Sequence, residues 1–269
     1  MDNTTALEEL ILKVQSNSKY ASITPGLVRR LSKAAISKGL SGKAAVKDVR
    51  NKCHQIGGAY FRRRVDYDEI TNELTQLPRD LNSDAVKQFC RKTMEAHAST
   101  RERLPILEHF FETCLEPIAP ITSVQDLACG LTPLAIQWIP LADGFRYHAC
   151  DIYLDMLRFL HSFFTHFMID GATKACDLIG EMPQEPTQVA FLLKSIPCLE
   201  QVDKDIGLTL LENIQAEHIL VSFPVSSLSG RNKGMPDFYE THFYEMISGK
   251  PWKISPFNFK TELAFLVTK

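Results

Sequence analysis

The chain has 269 residues, of which 45% are hydrophobic and 23% are charged, the composition of an ordinary folded protein. No apolar run approaches the ~20 residues that span a bilayer, and the N-terminus carries acids where a signal peptide would carry basic residues. We therefore expect a soluble cytoplasmic protein rather than a membrane protein. The seven cysteines are odd in number and form no CxxC pair, so we expect buried thiols and neither a zinc site nor a redox motif.

Positive charge is concentrated near the N-terminus, although the net charge is only −2. Residues 11–65 contain thirteen Lys or Arg and a single acid, Asp48, whereas residues 66–269 contain 17 basic and 28 acidic residues. This asymmetry predicts a surface that binds a polyanion. The alternative is that these side chains only form the solvated faces of helices.

The first part of the chain is predicted to be helical. Apolar residues recur at helical spacing over 7–19 and over 25–38. In the second of these segments, Thr24 is placed to cap a helix that begins at Pro25. Three more helices are predicted, over 43–61, 63–77 and 83–96.

The pattern changes after residue 120, where six short apolar runs alternate with helical stretches or loops. These runs are VQDLA, YHACDI, ATKACDL, VAFLLKSI, EHILVSF and ELAFLVT. Strands that alternate with helices predict an α/β fold with a parallel, Rossmann-like sheet covered on both faces. We therefore expect two domains, a basic helical domain over 1–95 and an α/β domain over 96–269. Ligands of such sheets bind at the carboxyl ends of the strands, where the strand order reverses.

The segment 126-DLACG-130 ends a predicted strand in a turn of small residues. Ala128 and Gly130 let a ligand approach the backbone, but a full glycine-rich fingerprint is absent, which disfavours a dinucleotide. Asp151 and Asp177 end the next two strands, where carboxylates accept hydrogen bonds from ribose hydroxyls and from the adenine amine. The pattern predicts a site for adenosine without phosphates, with S-adenosylmethionine as the cofactor. The alternative is a set of plain βα turns in which each Asp only caps a helix.

Four segments closely resemble the aminoglycoside-resistance 16S ribosomal RNA guanine-N7 methyltransferases of the Arm, Rmt and Kgm type: 97-HASTRERL-104, 126-DLACGLTPLA-135, 191-FLLKSIP-197 and 221-VSFPVSSLSGRNKGM-235. With 7-LEELILKVQSNSKY-20, 54-HQIGGAYF-61 and 261-TELAFLV-267, the resemblance covers essentially the whole chain. It implies a Rossmann-like S-adenosylmethionine-dependent methyltransferase sheet with an N-terminal all-helical domain. The implied reaction is methylation of one guanine in the decoding site of 16S rRNA, which blocks aminoglycoside binding.

The resemblance also implies a set of cofactor-binding residues. Arg103 is expected to hold the methionine carboxylate through a charge-assisted fork, and Tyr60 is the aromatic residue that the helical domain is expected to lend to the pocket. The other expected cofactor contacts are His97, Ala98, Ser99, Ala128, Gly130, Asp151, Cys176, Asp177 and Leu193.

The implied catalytic residues are Lys194, Arg231 and Met235, which are expected to engage the target nucleotide. Guanine N7 has a lone pair and no proton, so its methylation needs alignment rather than a general base. In an RNA helix this base edge faces a groove that side chains cannot enter. We therefore expect the enzyme either to flip the base out or to meet RNA that is already distorted, and to hold the flipped base by stacking and charge. One departure from the family is Gln201, which stands where a basic residue commonly follows Glu200.

The basic N-terminal segment is expected to dock on the 16S rRNA of the assembled 30S subunit through phosphate contacts. The expected rRNA-binding residues are Arg29, Arg30, Lys33, Lys47, Arg50, Lys52 and Lys233. We expect a monomer, with no membrane, DNA or metal partner. Two other interpretations remain open. One is a small-molecule methyltransferase with a helical lid, since a fold does not fix its substrate, and the other is a catalytically silent RNA-binding protein of the same fold.

Overall fold

The computed structural model describes residues 3–57, 65–226 and 235–269. In these ranges the chain forms one seven-stranded sheet with helices on both faces. The described helices are α1 (Asn3–Gln15), α2 (Pro25–Ser37), α3 (Gly42–Ile56), α4 (Tyr67–Thr75), α5 (Asp84–Met94), α6 (Ala98–Arg103), α7 (Leu107–Leu115), α8 (Leu154–His166), α9 (Ile196–Leu199), α10 (Ile206–Asn213) and α11 (Met235–Met246). Short 3-10 helices span Leu104–Ile106, Glu116–Ile118 and Thr132–Trp138. Within the described ranges, no helix has the length and apolar character needed to cross a bilayer.

The five helices before residue 95 confirm the predicted helical segments, with different ends. The third helix stops at Ile56, before its predicted end at residue 61, and the N–H of Gly57 closes it on the Cys53 carbonyl at 3.2 Å. Thr24 does precede the helix that begins at Pro25, but its side chain forms no capping hydrogen bond. Its backbone N–H instead donates to the Ile152 carbonyl at 2.8 Å, which ties the start of α2 to the sheet.

The strands are β1 (Ile121–Leu127), β2 (Leu141–Asp151), β3 (Asp170–Ala175), β4 (Thr187–Leu193), β5 (Ala216–Pro224), β6 (Lys253–Asn258) and β7 (Glu262–Thr268). Their order across the sheet is β3-β2-β1-β4-β5-β7-β6. All six predicted strands are present. The strands β1, β4 and β7 are buried along almost their whole length, as expected for strands covered on both faces.

The predicted parallel arrangement holds for most of the sheet but not at one edge. The first five strands are parallel, but β7 runs antiparallel to β5, and β6 runs antiparallel to β7. The cause is the short connection over residues 259–261, which can join only antiparallel neighbours. The strand β6 was not predicted because its sequence KISPFN contains Pro256, which is tolerated at a sheet edge but does not mark a strand.

The two faces of the sheet belong to two apolar clusters. One cluster contains the buried faces of α1–α3 and of α9–α11, and the other contains those of α4, α5, α7 and α8. Successive residues of one strand enter different clusters, as Phe191 and Leu192 of β4 do. The domain boundary at residue 95 stays a prediction, and the helices before it are divided between the two faces. The helices α1–α3 are called the α1–α3 unit below.

Six of the seven cysteines are buried, as expected, and Cys198 is partly exposed.

Candidate active site

The strand order reverses at β1, whose neighbours are β2 and β4, and the turn of small residues leaves β1 at this point. Two residues of the turn have positive φ, Ala128 at 52° and Gly130 at 51°. A β-carbon at position 130 would lie 2.8 Å from Cε1 of His97. Glycine is therefore required here by both the backbone conformation and the nearby imidazole. Burial, reinforced by nearby cations including Arg103, lowers the pKa of His97 to about 3, so this ring is neutral.

Asp151 is the last residue of β2 and is fixed by backbone N–H groups. Its Oδ2 accepts from Gly130 at 3.0 Å, and its Oδ1 accepts from Ile152 at 2.7 Å and from Tyr153 at 3.2 Å. A carboxylate offers about four acceptor positions, so one position on Oδ2 stays available to a ligand. Burial raises the pKa of Asp151 above its ordinary value, although the three N–H groups oppose this shift.

A cavity of about 590 Å³, its mouth included, lies at this edge of the sheet. Its walls come from the turn after β1, from the ends of β2, β3 and β4, from α6 and its preceding residue, and from the end of α3. The lining residues are Ile56, Gly57, His97, Ser99, Ala128, Asp151, Ile152, Tyr153, Cys176, Asp177, Leu178, Leu193, Ser195 and Leu199.

The α1–α3 unit forms direct polar contacts with residues at or beside this cavity. Arg30 of α2 reaches Asp177 with a two-pronged ion pair, Nε to Oδ2 at 2.5 Å and Nη2 to Oδ1 at 3.0 Å. The hydroxyl of Ser22 donates to Asp155 Oδ2 at 2.6 Å, and Ile23 forms an isolated antiparallel bridge with Tyr153. These contacts hold the start of α2 against the strand ends that carry Asp151 and Asp177.

A buried ionic network lies behind the turn. Arg103 and Glu262 are both 0% exposed, and they pair through Nη2 to Oε1 at 2.6 Å and Nε to Oε2 at 3.0 Å. The Lys194 ammonium lies 3.3 Å from Glu262 Oε2 and 3.1 Å from Glu102 Oε2. Burial alone would raise the pKa of Glu262, but Arg103 and Lys194 outweigh it and hold that pKa below its ordinary value. Glu262 is therefore ionised. Removing one charge of this network would leave a buried charge without full compensation.

Comparisons with known proteins identify the family. The family described as Ribosomal RNA methyltransferase (FmrO) matches residues 16–266. The chain belongs to this family. A 16S rRNA (guanine(1405)-N(7))-methyltransferase of Micromonospora rosea is 31% identical over 266 residues, which cover 98% of this chain and 97% of that relative. A relative of the same name in Serratia marcescens is 29% identical over 267 residues, 98% of both chains.

A solved structure extends this identification to the fold. The crystal structure of 16S rRNA methyltransferase RmtF in complex with S-adenosyl-L-homocysteine matches with a TM-score of 0.82 and 27% identity, over 100% of this chain and 99% of that one. The predicted family and the predicted methyltransferase fold class are therefore confirmed.

The structure brings most of the predicted cofactor residues of this methyltransferase together. The predicted residues that line the cavity are His97, Ser99, Ala128, Asp151, Cys176, Asp177 and Leu193. Gly130 contributes the N–H that fixes Asp151. Ala98 is buried and does not line the cavity, although its two chain neighbours, His97 and Ser99, do. Tyr60 lies outside the described residues.

Two residues predicted for the methyltransferase site are buried in the ionic network, and their predicted roles stay predictions. Arg103 lies behind the cavity wall, where its guanidinium is held by Glu262 and approaches Thr132 Oγ1 at 3.4 Å. Lys194, predicted to engage the target nucleotide, is only 3% exposed and its ammonium is bonded within the buried network. The sequence could not show this because the acid that binds both cations, Glu262, is distant in the chain and reaches them only through the antiparallel position of β7.

Of the other predicted target-binding residues, Met235 is partly buried and begins α11. Arg231 and Lys233 lie outside the described residues. Gln201, the departure from the family pattern, is exposed, and its amide donates to the Pro197 carbonyl at 3.4 Å.

The predicted rRNA-binding cations differ in their surroundings. Lys33 and Lys47 are exposed and form no ion pair among the described residues. Arg29 pairs with Glu8 at 2.5 Å and Lys52 pairs with Asp48 at 2.7 Å, both near the surface. Arg30 is bound to Asp177 as described above. The guanidinium of Arg50 donates to the last carbonyls of α1, those of Lys13 at 2.5 Å and of Val14 at 3.2 Å, and so acts as a cap of that helix.

Half of the cavity wall was not predicted from the sequence. These residues are Ile56, Gly57, Ile152, Tyr153, Leu178, Ser195 and Leu199. Ile152 and Leu178 directly follow the two predicted acids, so their positions at strand ends were a usable signal. Ile56 and Gly57 carried no such signal, because the packing of α3 against α9 brings them to the cavity.

Proposed function

We propose that this methyltransferase transfers a methyl group from S-adenosylmethionine to N7 of guanine 1405 in 16S rRNA, the reaction for which its relatives are named. The observation that carries the proposal is the cavity at the reversal of strand order, where Asp151 and Asp177 end adjacent strands and face one pocket. The proposal includes resistance to aminoglycosides that bind the decoding site.

The residues of the cavity fit the adenosyl group. Asp151 keeps one acceptor position on Oδ2 for a ribose hydroxyl. Asp177 likewise keeps a position on Oδ2, because Arg30 and the N–H of Ile179 use the others, so it can accept the adenine amine without losing the Arg30 ion pair. The apolar side chains of Ile152, Leu193 and Leu199 supply surfaces for the flat ring.

Methyl transfer to N7 requires the side chains mainly to align the two reactants. The N7 lone pair forms the new C–N bond while the C–S bond breaks and leaves its electron pair on sulfur, so no proton has to move. The neutral ring of His97 suits this reaction, because it adds no positive charge beside a sulfonium. We assign to the rigid turn at 128–130 the task of fixing the methyl donor in line with the acceptor.

We further propose that the assembled 30S subunit is the substrate and that the exposed Lys33 and Lys47 contact its phosphates. Such contacts position the enzyme without reading sequence. Guanine 1405 would be selected by the shape of the folded RNA around it.

The test is to incubate purified 30S subunits with methyl-labelled S-adenosylmethionine and the enzyme, followed by mass spectrometry of the 16S rRNA fragments. We expect one label, on guanine 1405. Label in a small metabolite would favour the small-molecule enzyme, and absence of label with intact RNA binding would favour a silent binding protein. The matched control is Asp151→Ala, which should give no label. A host that expresses the gene and remains sensitive to gentamicin would contradict the resistance role.

A further inference from the structure

One hydroxyl in the cavity wall has no partner among the described residues. Ser195 directly follows Lys194 at the end of β4, is 6% exposed, and lines the cavity. Its Oγ is buried and forms no hydrogen bond. Leaving a buried hydroxyl unpaired is costly, and such groups are uncommon in folded proteins.

The position of Ser195 makes the missing bond unexpected. Ser195 occupies the N-cap of α9, where a serine side chain usually accepts a hydrogen bond from the backbone N–H of the second or third helical residue. The second helical residue is Pro197, which has no N–H. The N–H of the third, Cys198, donates instead to the Ser195 carbonyl at 3.1 Å.

The backbone conformation also turns the side chain away from the cap. Ser195 has φ −89° and ψ −36°, in the helical region rather than in the extended region of capping residues. The local sequence Ser-Ile-Pro therefore leaves the hydroxyl without a role in the helix that it precedes.

Other hydroxyls of the described chain are also buried without a partner, but they lie elsewhere. They belong to Ser32, Tyr67, Ser83, Thr187 and Thr261, and none of these residues lines this cavity. The other serine of the cavity wall, Ser99, is partnered, since its Oγ lies 3.0 Å from Nδ1 of His97. Within the part of the chain that the structure describes, Ser195 is therefore the cavity-lining residue whose buried hydroxyl lacks a partner.

We infer that the Ser195 hydroxyl is a cofactor-binding group, which forms a hydrogen bond with bound S-adenosylmethionine. The inference rests on the proposed function. The cofactor is a better occupant than the target guanine because Ser195 lines the same cavity as Asp151 and Asp177, the acids suited to adenosine. A hydroxyl can donate or accept, so it can pair with either kind of polar atom on that ligand.

The test compares Ser195→Ala with wild type in two measurements on the full chain: thermal unfolding without ligand, and calorimetric affinity for S-adenosylhomocysteine. Because the hydroxyl has no protein partner, the ligand-free unfolding midpoint should stay the same or rise. The affinity should fall about three- to tenfold, the effect of one lost hydrogen bond. A purely structural serine would give the opposite pattern, a lower midpoint with unchanged affinity.

The matched control is Ser123→Ala. Ser123 is also buried, but it lies near the start of β1, away from the cavity, and its Oγ accepts from the backbone N–H of Gln188 at 2.9 Å. This variant should lower the unfolding midpoint and leave the affinity unchanged. Ser195→Cys fills the same space with a weak hydrogen-bonding group, so it should lose as much affinity as Ser195→Ala.

Two results would overturn the inference. One is equal affinities of wild type and Ser195→Ala, which, if 30S methylation by Ser195→Ala were also slower, would assign the hydroxyl to the guanine. The other is full recovery of affinity in Ser195→Cys. Failure of the wild type itself to bind S-adenosylhomocysteine would instead count against the proposed function.

Discussion

Positive charges on this protein occupy two regions that differ in burial and in partners. At the carboxyl edge of the sheet, Arg103 and Lys194 are buried and Arg30 is largely enclosed, and each is paired with an acid. On the outer surface of the α1–α3 unit, Lys33 and Lys47 face solvent without an ion pair among the described residues. A count of Lys and Arg does not separate these regions, but their expected functions differ: the first builds the cofactor site, and the second is available to RNA.

The largest effect is expected in the buried region. Arg103→Met leaves the carboxylate of Glu262 without its main partner in a fully buried position. The free energy of unfolding should fall by about 3–5 kcal/mol, the usual consequence of breaking a buried ion pair, as measured by urea unfolding. The double variant Arg103→Met with Glu262→Gln removes the stranded charge and should recover part of this loss. A double variant no more stable than the single one would refute the account.

The buried region should also contribute to the pH dependence of the free energy of unfolding. The pKa of His97 is lowered from 6.5 to about 3 in the folded protein. Between these values the unfolded chain binds a proton that the folded chain does not, so stability present above pH 6.5 is lost as the pH falls toward 3. Each such proton contributes up to about 1.4 kcal/mol per pH unit. His97→Asn should therefore show a shallower acid-side loss than wild type in denaturant unfolding, and parallel curves would exclude this role.

A moderate effect on cofactor affinity is expected at Arg30. Arg30→Glu places a carboxylate beside Asp177, in a site where the two side chains are 29% and 11% exposed. Repulsion should displace Asp177 and weaken the binding of S-adenosylhomocysteine by about tenfold, since a disordered site must be organised on binding. Charge reversal at this predicted rRNA-binding residue should therefore reduce cofactor affinity as well. Calorimetry on Arg30→Glu and Lys33→Glu, both on α2, makes the comparison.

The smallest effect is expected in the outer region. Lys33→Glu combined with Lys47→Glu should weaken 30S binding by a few-fold and reduce its salt dependence, because fewer counterions are released. Cofactor affinity and unfolding free energy should match wild type, because neither side chain has an ion-pair partner in the described chain. Filter binding at two salt concentrations checks this. Unchanged 30S binding would remove these two residues from the docking surface.

Much of the candidate cofactor site could be located from the sequence, because the relevant residues lie at the ends of strands. The turn at Ala128 to Gly130 and the acids Asp151 and Asp177 follow apolar runs, and adjacent parallel strands bring their carboxyl ends to one edge. The order of residues along the chain was sufficient to locate these positions. The same reasoning placed Leu193 and Cys176 correctly in the wall.

Partners that are distant in sequence could not be predicted. Glu262 meets Arg103 and Lys194 only because β7 returns antiparallel beside β5, and Arg30 meets Asp177 only because α2 packs on the strand ends. A cation in the sequence carries no sign of whether it faces an acid or solvent. Tertiary packing makes that choice by fixing which charges lose water and therefore require a partner.

The sequence by itself thus determined the alternating strand–helix order, the positions of the strand-end acids and the concentration of positive charge near the N-terminus. The tertiary structure decided which of those positive charges became part of the pocket. It also decided that Ser195 lines the cavity and that its hydroxyl does not cap the helix that follows. The physical reason is that hydrogen-bond and charge partners are set by distances in space, whereas the sequence specifies only separations along the chain.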